Sequence, residues 1–221
     1  MPEEYTREYS IIGNIPFSGK VIYFDGFESG VRWIADGLGD DWTVECRKDD
    51  AYSGKYDCVL TTKATSPTLG DWVYIQRELH CRPNVLATLF FRWKHWYVGR
   101  LQYMEVRFNS FVNGDAHDAR VRYDSDGTKW QYYDENMVWV DIPGGDQFIE
   151  DLYWADFSLK VDFLSGKYVS LASNRKKFDL SALKYHIEEV GEGDRYEIRI
   201  TASTRLAEQA ILSVDDVLVT S

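Results

Sequence analysis

The sequence predicts an all-β protein: a single antiparallel β-sandwich of jelly-roll type over residues 20–221, preceded by an extended N-terminal arm over residues 1–19. Three observations carry that expectation. Apolar and polar residues alternate over many short segments, turn formers punctuate them at close intervals, and helical periodicity is nearly absent. Two antiparallel sheets packed face to face bury such strands on one side and leave the other side polar.

Taken in chain order, residues 1–19 hold isolated Tyr, Ile and Phe between turn formers and sustain neither period, which reads as an arm laid on a surface. In "VLATLFFRWKH" (85–95), Val85, Ala87, Leu89, Phe91 and Trp93 are expected on the core side, with Leu86, Thr88, Phe90, Arg92 and Lys94 opposite. In "DARVRYD" (118–124), Ala119, Val121 and Tyr123 point inward, while Arg120 and Arg122 point out. "YEIRITA" (196–202) sends Tyr196, Ile198 and Ile200 inward, with Glu197, Arg199 and Thr201 outward. Turns are expected at "SDGT" (125–128), "PGGD" (143–146), "LSGK" (164–167) and "GEGD" (191–194), giving about a dozen strands. The best helix candidate is one short turn in "DLSALKYHIEE" (179–189), capped by Asp179 or Ser181. The last segment, "AILSVDDVLVTS" (210–221), sets Asp215 and Asp216 inside an apolar strand, so strict alternation would turn one of them toward the interior.

Charge and composition exclude several function classes. A net charge of −11 with scattered basic residues argues against a nucleic-acid surface, because "NRKKF" (174–178) is the one basic cluster. Three cysteines are too few for a disulfide framework, and no His/Cys spacing suits zinc. No run approaches the ~18 apolar residues of a membrane span. The acidic start has no signal-peptide character, so synthesis in the cytoplasm is expected.

Three motifs belong together: "YFDGFESG" (23–30), "SGKYDCVLTT" (53–62) and "SVDDVLVT" (213–220). With Glu28, Gly30 and Trp33 in an "F-E-x-G…W" arrangement and a closing "D-D-V" strand, the chain resembles the jelly-roll carbohydrate-binding modules and their concanavalin-like and galactose-binding-like relatives. The resemblance implies that the first and last strands lie side by side. It also implies a structural calcium ion bridging the acidic turn and the terminal strand, with Glu28 and one of Asp215 or Asp216 as ligands and Asp25 as a further candidate. A purely structural role, with the acids capping backbone amides, is the competing expectation.

Rings in "RWKHWY" (92–97), "KWQYYDENMVW" (129–139) and "LYW" (152–154) could stack on sugars. Trp93 and Trp130 fall on inward faces, which leaves Trp96, Tyr97, Tyr133 and Trp139 as the carbohydrate-binding candidates. "QRELH" (76–80) and "DFLSGKY" (162–168) resemble strand motifs of alginate-type polysaccharide lyases, but the second arginine is replaced by His80 and no Gln-x-His strand occurs between them. A catalytic role is therefore not expected. The function expected first is a structural protein of a larger assembly, of the virion-surface or capsid-decoration type, with other subunits or a capsid scaffold as partners and a homo-oligomeric state. A polysaccharide-binding module is the alternative.

Overall fold

The computed structural model describes residues 19–48, 50–63, 66–96, 100–205 and 208–221. Nearly all of the expected arm, together with Tyr97, lies outside these described residues. Two eight-stranded antiparallel sheets pack as a sandwich. The first runs β13(Lys176–Asp179), β12(Lys167–Ser173), β11(Ala155–Asp162), β6(Leu86–Trp96), β16(Ile211–Thr220), β4(Tyr56–Thr61), β3(Thr43–Lys48), with β1(Val21–Asp25) also on β16. The second runs β10(Trp139–Asp146), β9(Lys129–Tyr133), β8(Asp115–Asp124), β7(Leu101–Val112), β15(Arg195–Thr204), β5(Trp72–Leu79), β2(Ile34–Gly37), with β14(His186–Glu189) on β8.

The core is the one that alternation predicts except at Val85, which precedes β6 and is exposed rather than facing the core. Ala87, Leu89, Phe91 and Trp93 of β6 meet Ala119, Val121 and Tyr123 of β8 and Tyr196, Ile198 and Ile200 of β15 in one buried cluster. Trp93, Tyr123, Trp130 and Phe157 form its aromatic centre, with ring centroids 5.4–6.4 Å apart. Removing one of its two indoles, Trp130→Ala, is expected to cost about 3–5 kcal/mol in urea unfolding.

Three expectations are corrected. Residues 179–189 contain no helix: a turn at 181–182 leads to β14, which adds to the edge of β8 through His186–Asp118 and Glu189–Asp115. Leu180 and Tyr185 are buried in the core, and the pairing they permit outweighs a weak local helical preference. "PGGD" is no separate turn but an irregular stretch of β10, whose register against β9 shifts between Asp141 and Asp146. The outer side of β6 is also buried: Phe90, Arg92 and Lys94 are each less than a tenth exposed. Other groups cover them, and these belong to the seam described next.

Candidate functional site

Two places gather the residues that the sequence singles out. The first is a seam on the outer face of the first sheet. Along β16, Leu212 and Val214 face the core and so do Val217 and Val219, so the inward phase slips by one residue at Asp215–Asp216. Against β6, Asp215 pairs with Arg92 and Leu218 with Phe90, which sets two residues opposite one and defines a β-bulge. Asp216 takes a left-handed backbone, φ 53°, to make it. On the other edge of β16, pairing passes from β4, ending at Val214–Cys58, to β1, beginning at Val217–Asp25. The expectation that one aspartate must face the apolar interior is thereby corrected, since the bulge lets both turn to the outer side.

There they hold the loop before β4. The Ser53 amide donates to Asp215 Oδ2 at 3.0 Å and the Ser53 hydroxyl to Asp216 Oδ1 at 2.6 Å. Glu28 Oε1 accepts from the Lys55 and Tyr56 amides at 2.6 and 3.1 Å. Gly54 sits between, at φ 67° in the left-handed region that favours glycine, where an added Cβ would lie 2.1 Å from Glu28 Oε1 and push that carboxylate off its two amides. Asp25 ties its own turn by accepting from the Phe27 amide, the Trp33 indole and the Tyr23 hydroxyl. Arg92 closes the cluster: it donates to Asp216 Oδ2 at 2.5 Å and to Asp156 at 3.0 Å, and its guanidinium lies 3.9 Å from the Tyr52 ring centroid. Lys94 pairs with Asp50 at 2.5 Å beside the rings of Trp96 and Trp154. Burial, with Asp216 and Asp57 nearby, pushes the Asp215 carboxyl up to about 8.

The three motifs thus meet at one seam. Calcium takes six to eight oxygen ligands. Here the acid oxygens instead face amides, hydroxyls, an indole and a guanidinium, and no group of three or more His, Cys, Asp or Glu that could hold a metal occurs among the described residues. As arranged, Asp25, Glu28, Asp215 and Asp216 are held by the chain's own donors. Glu28→Gln keeps an oxygen for both amides and is expected to change stability by less than about 1 kcal/mol, whereas Glu28→Ala is expected to cost about 1–3 kcal/mol. The two variants are compared by urea unfolding with and without chelator. A Gln variant as damaged as the Ala variant, together with a chelator-induced fall in melting temperature of the native chain, would show that a cation does take part.

The second place is the outer face of the second sheet. Register brings Gln76 beside Arg199, Arg199 beside Arg107, and Arg107 beside Arg120, so three arginines line up across β15, β7 and β8. One step along the strands, Tyr74, Thr201, Glu105, Arg122, Gln131 and Asp141 form a parallel row. Aromatic pairs stand at both ends: Trp72 stacks on Tyr74 with centroids 5.4 Å apart, and Tyr133 meets Trp139 at 5.1 Å with the two rings tilted by 54°. Guanidinium groups lie over these rings, Arg199 over Tyr74 at 4.2 Å, Arg120 over Tyr133 at 4.6 Å and Arg122 over Trp139 at 4.4 Å. From β5 to β10 the face is about 24 Å wide, from five strand spacings of ~4.8 Å.

The sequence candidates for sugar binding separate accordingly. Tyr133 and Trp139 stand together on this face, whereas Trp96 lies on the other sheet and donates its indole N–H to Ser213. Trp72 and Tyr74 were missed; their alternation with Val73 and Ile75 was a usable signal. Of the lyase-like segments, Gln76 and Glu78 reach this face, but Arg77 donates to the Arg32 carbonyl and His80 is exposed beyond the strand. Tyr168 is fully buried, its hydroxyl 2.8 Å from the backbone carbonyls of both Arg120 and Tyr133 and accepting from the Arg120 amide, and burial pushes it well above the usual tyrosine range.

Comparison with known proteins agrees with this architecture. No family model matches the chain, and no curated protein matches it. Solved structures do. An endo-β-1,4-glucuronan lyase from Trichoderma reesei superposes with a TM-score of 0.63 at 10% identity, covering 91% of this chain and 96% of that one. The fold is that of a carbohydrate-binding-module-like β-sandwich. The cellulose-induced protein Cip1 matches at a TM-score of 0.59 and 12% identity over 89% of this chain and 96% of that one. Carbohydrate-binding modules of the β-sandwich superfamily match at 0.52 and 12% over 92% of this chain but 63% of that one. Identities this low establish a shared fold and leave the function to be argued from the residues.

Proposed function

We propose that this protein is a non-catalytic binding protein whose ligand is a polysaccharide, held on the outer face of the second sheet. The observation that carries this reading is the two aromatic pairs, Trp72–Tyr74 and Tyr133–Trp139, flanking a centre of arginine, acid and amide side chains on one sheet face. Rings offer apolar faces to the C–H faces of sugars, while charged and amide groups bond their hydroxyls. A sheet face of this width suits an extended chain better than a small molecule. Similarity of fold to carbohydrate-binding modules supports the reading.

Trp139→Ala is expected to weaken retention on the bound glycan at least about tenfold in a glycan-array titration, with Tyr133→Ala similar. Trp96→Ala, on the opposite sheet, is expected to leave it unchanged. Equal loss from the Trp96 and Trp139 variants would place the ligand elsewhere.

A second reading, a component of a larger assembly such as a virion surface, draws support from Phe148 and Tyr153, which are 67% and 64% exposed on one connecting segment of 147–154. In that reading, light scattering finds an oligomer that deletion of residues 1–19 or Phe148→Ser disperses. A monomer in every case would remove it.

A further inference from the structure

We infer that the ligand of this face is an acidic polysaccharide, of the uronic-acid type, whose carboxylate is read by the arginine row centred on Arg107. The inference rests on the glycan-binding reading of the same face and adds the charge of the sugar to it. Like charges directly opposite one another on neighbouring strands destabilise a sheet, yet Arg199, Arg107 and Arg120 occupy three consecutive positions across it. The outer two have partners: Arg199 donates to Gln76 Oε1, and Arg120 makes a two-pronged pair with Asp118. Arg107 has none of comparable quality. Its Nε lacks a hydrogen bond among the described residues, and the nearest carboxylate, Asp118, is 4.0 Å away.

A second group beside it is also unsatisfied. Asn109 follows Arg107 on the same face of β7, is 5% exposed, and its Oδ1 lacks a partner among the described residues. A guanidinium between two other cations, its Nε without a hydrogen bond among the described residues and its ion pair with Asp118 as long as 4.0 Å, next to an amide oxygen that also lacks a partner among them, has the chemistry of a site for an anion that also carries hydroxyl groups. The planar guanidinium fork matches a carboxylate in two parallel hydrogen bonds. Asn109 Oδ1 accepts from a neighbouring hydroxyl, and the two aromatic pairs hold the flanking sugar rings. General attraction does not explain such binding, because the whole chain carries a net charge of −11 and repels polyanions at long range. The preference is therefore local to the row.

The test uses the full chain and three probes: galacturonate, mannuronate and glucuronate oligosaccharides, each matched with its carboxyl-reduced neutral form. Calorimetry at 0.15 M salt is expected to find at least one acid form bound about tenfold or more tightly than its reduced counterpart. That ratio is expected to fall to near one in Arg107→Gln and to be restored only in part in Arg107→Lys, which keeps charge without the fork. Arg199→Gln is the second variant should Arg107→Gln fail to fold. Equal affinity for acid and reduced forms, with binding still lost in Trp139→Ala, overturns the acidic-sugar inference while the glycan face stands. Equal retention on sulphated dextran, insensitive to Arg107, also overturns it, as non-specific attraction. Binding to neither acid nor neutral oligosaccharides, and to nothing on the array, sinks the face itself.

Discussion

Arg92→Ala is expected to destabilise the protein by roughly 3–5 kcal/mol, the range seen when one partner of a buried ion pair is removed. The guanidinium is buried against Asp216, which has no exposure at all, and it also reaches Asp156 and the Tyr52 ring. Its loss strands Asp216 in a low-dielectric seam beside Asp215, with the Ser53 hydroxyl left as a donor to its carboxylate. In a domain of this size, such a loss lowers the melting temperature by roughly 10 °C or more. Removing both buried charges together, Arg92→Met with Asp216→Asn, is expected to cost much less than Arg92→Ala alone, because no buried ion is left unpaired; the remaining Asp156 carboxylate is 44% exposed and solvated. Denaturant unfolding of the single and double variants checks this. A single variant within about 1 kcal/mol of the native chain would mean that the seam is wet and the ion pair immaterial.

Asp215 is expected to make stability fall as pH rises. Its carboxyl is pushed up to about 8, first by burial and then by Asp216, against an unfolded value near 4. The folded chain therefore holds a proton that the unfolded chain releases. That contribution is complete below about pH 4 and is lost progressively as pH climbs to about 8, a swing on the order of 5 kcal/mol from about four pKa units. The groups around it are Asp216, Asp57 and the Ser53 and Asp216 amides, with Arg92 opposite on β6. Asp215→Ala leaves two amides without their acceptor at every pH but abolishes the titration. The stability difference between the native chain and the variant is thus expected to shrink by several kcal/mol between pH 4.5 and 8.5. A difference independent of pH would show that Asp215 stays ionised in the fold.

Much of the architecture was legible because it depends on local alternation. The inward residues of β6, β8 and β15 follow from period two, and the turns at 125–128 and 164–167 from their glycines, whereas 191–194 is an irregular connection rather than a turn. The meeting of "FDGFESG", "SGKY" and "SVDDV" was legible as a resemblance, but the bulge was not: one inserted residue changes the phase without leaving a composition signal. Nor was the helix at 179–189 avoidable from sequence, since the edge of β8 that claims residues 186–189 is about 70 positions away. The arginine row was half visible. Arg120, Arg122 and Arg199 each read as outward on their own strands, but only register between strands nearly a hundred residues apart makes Arg107 the neighbour of Arg199. Sites assembled by cross-strand register are hidden from any reading confined to single segments.

The central claim is that the outer face of the second sheet is where a glycan binds. Amide hydrogen exchange of the full chain, with and without the tightest oligosaccharide from the array, tests it most directly. The account predicts added protection in β5, β15, β7, β8 and β9, centred on residues 105–109 and 197–201, and none in β3, β4 or β16. Protection confined to the first sheet, or to the segment 147–154, would contradict it.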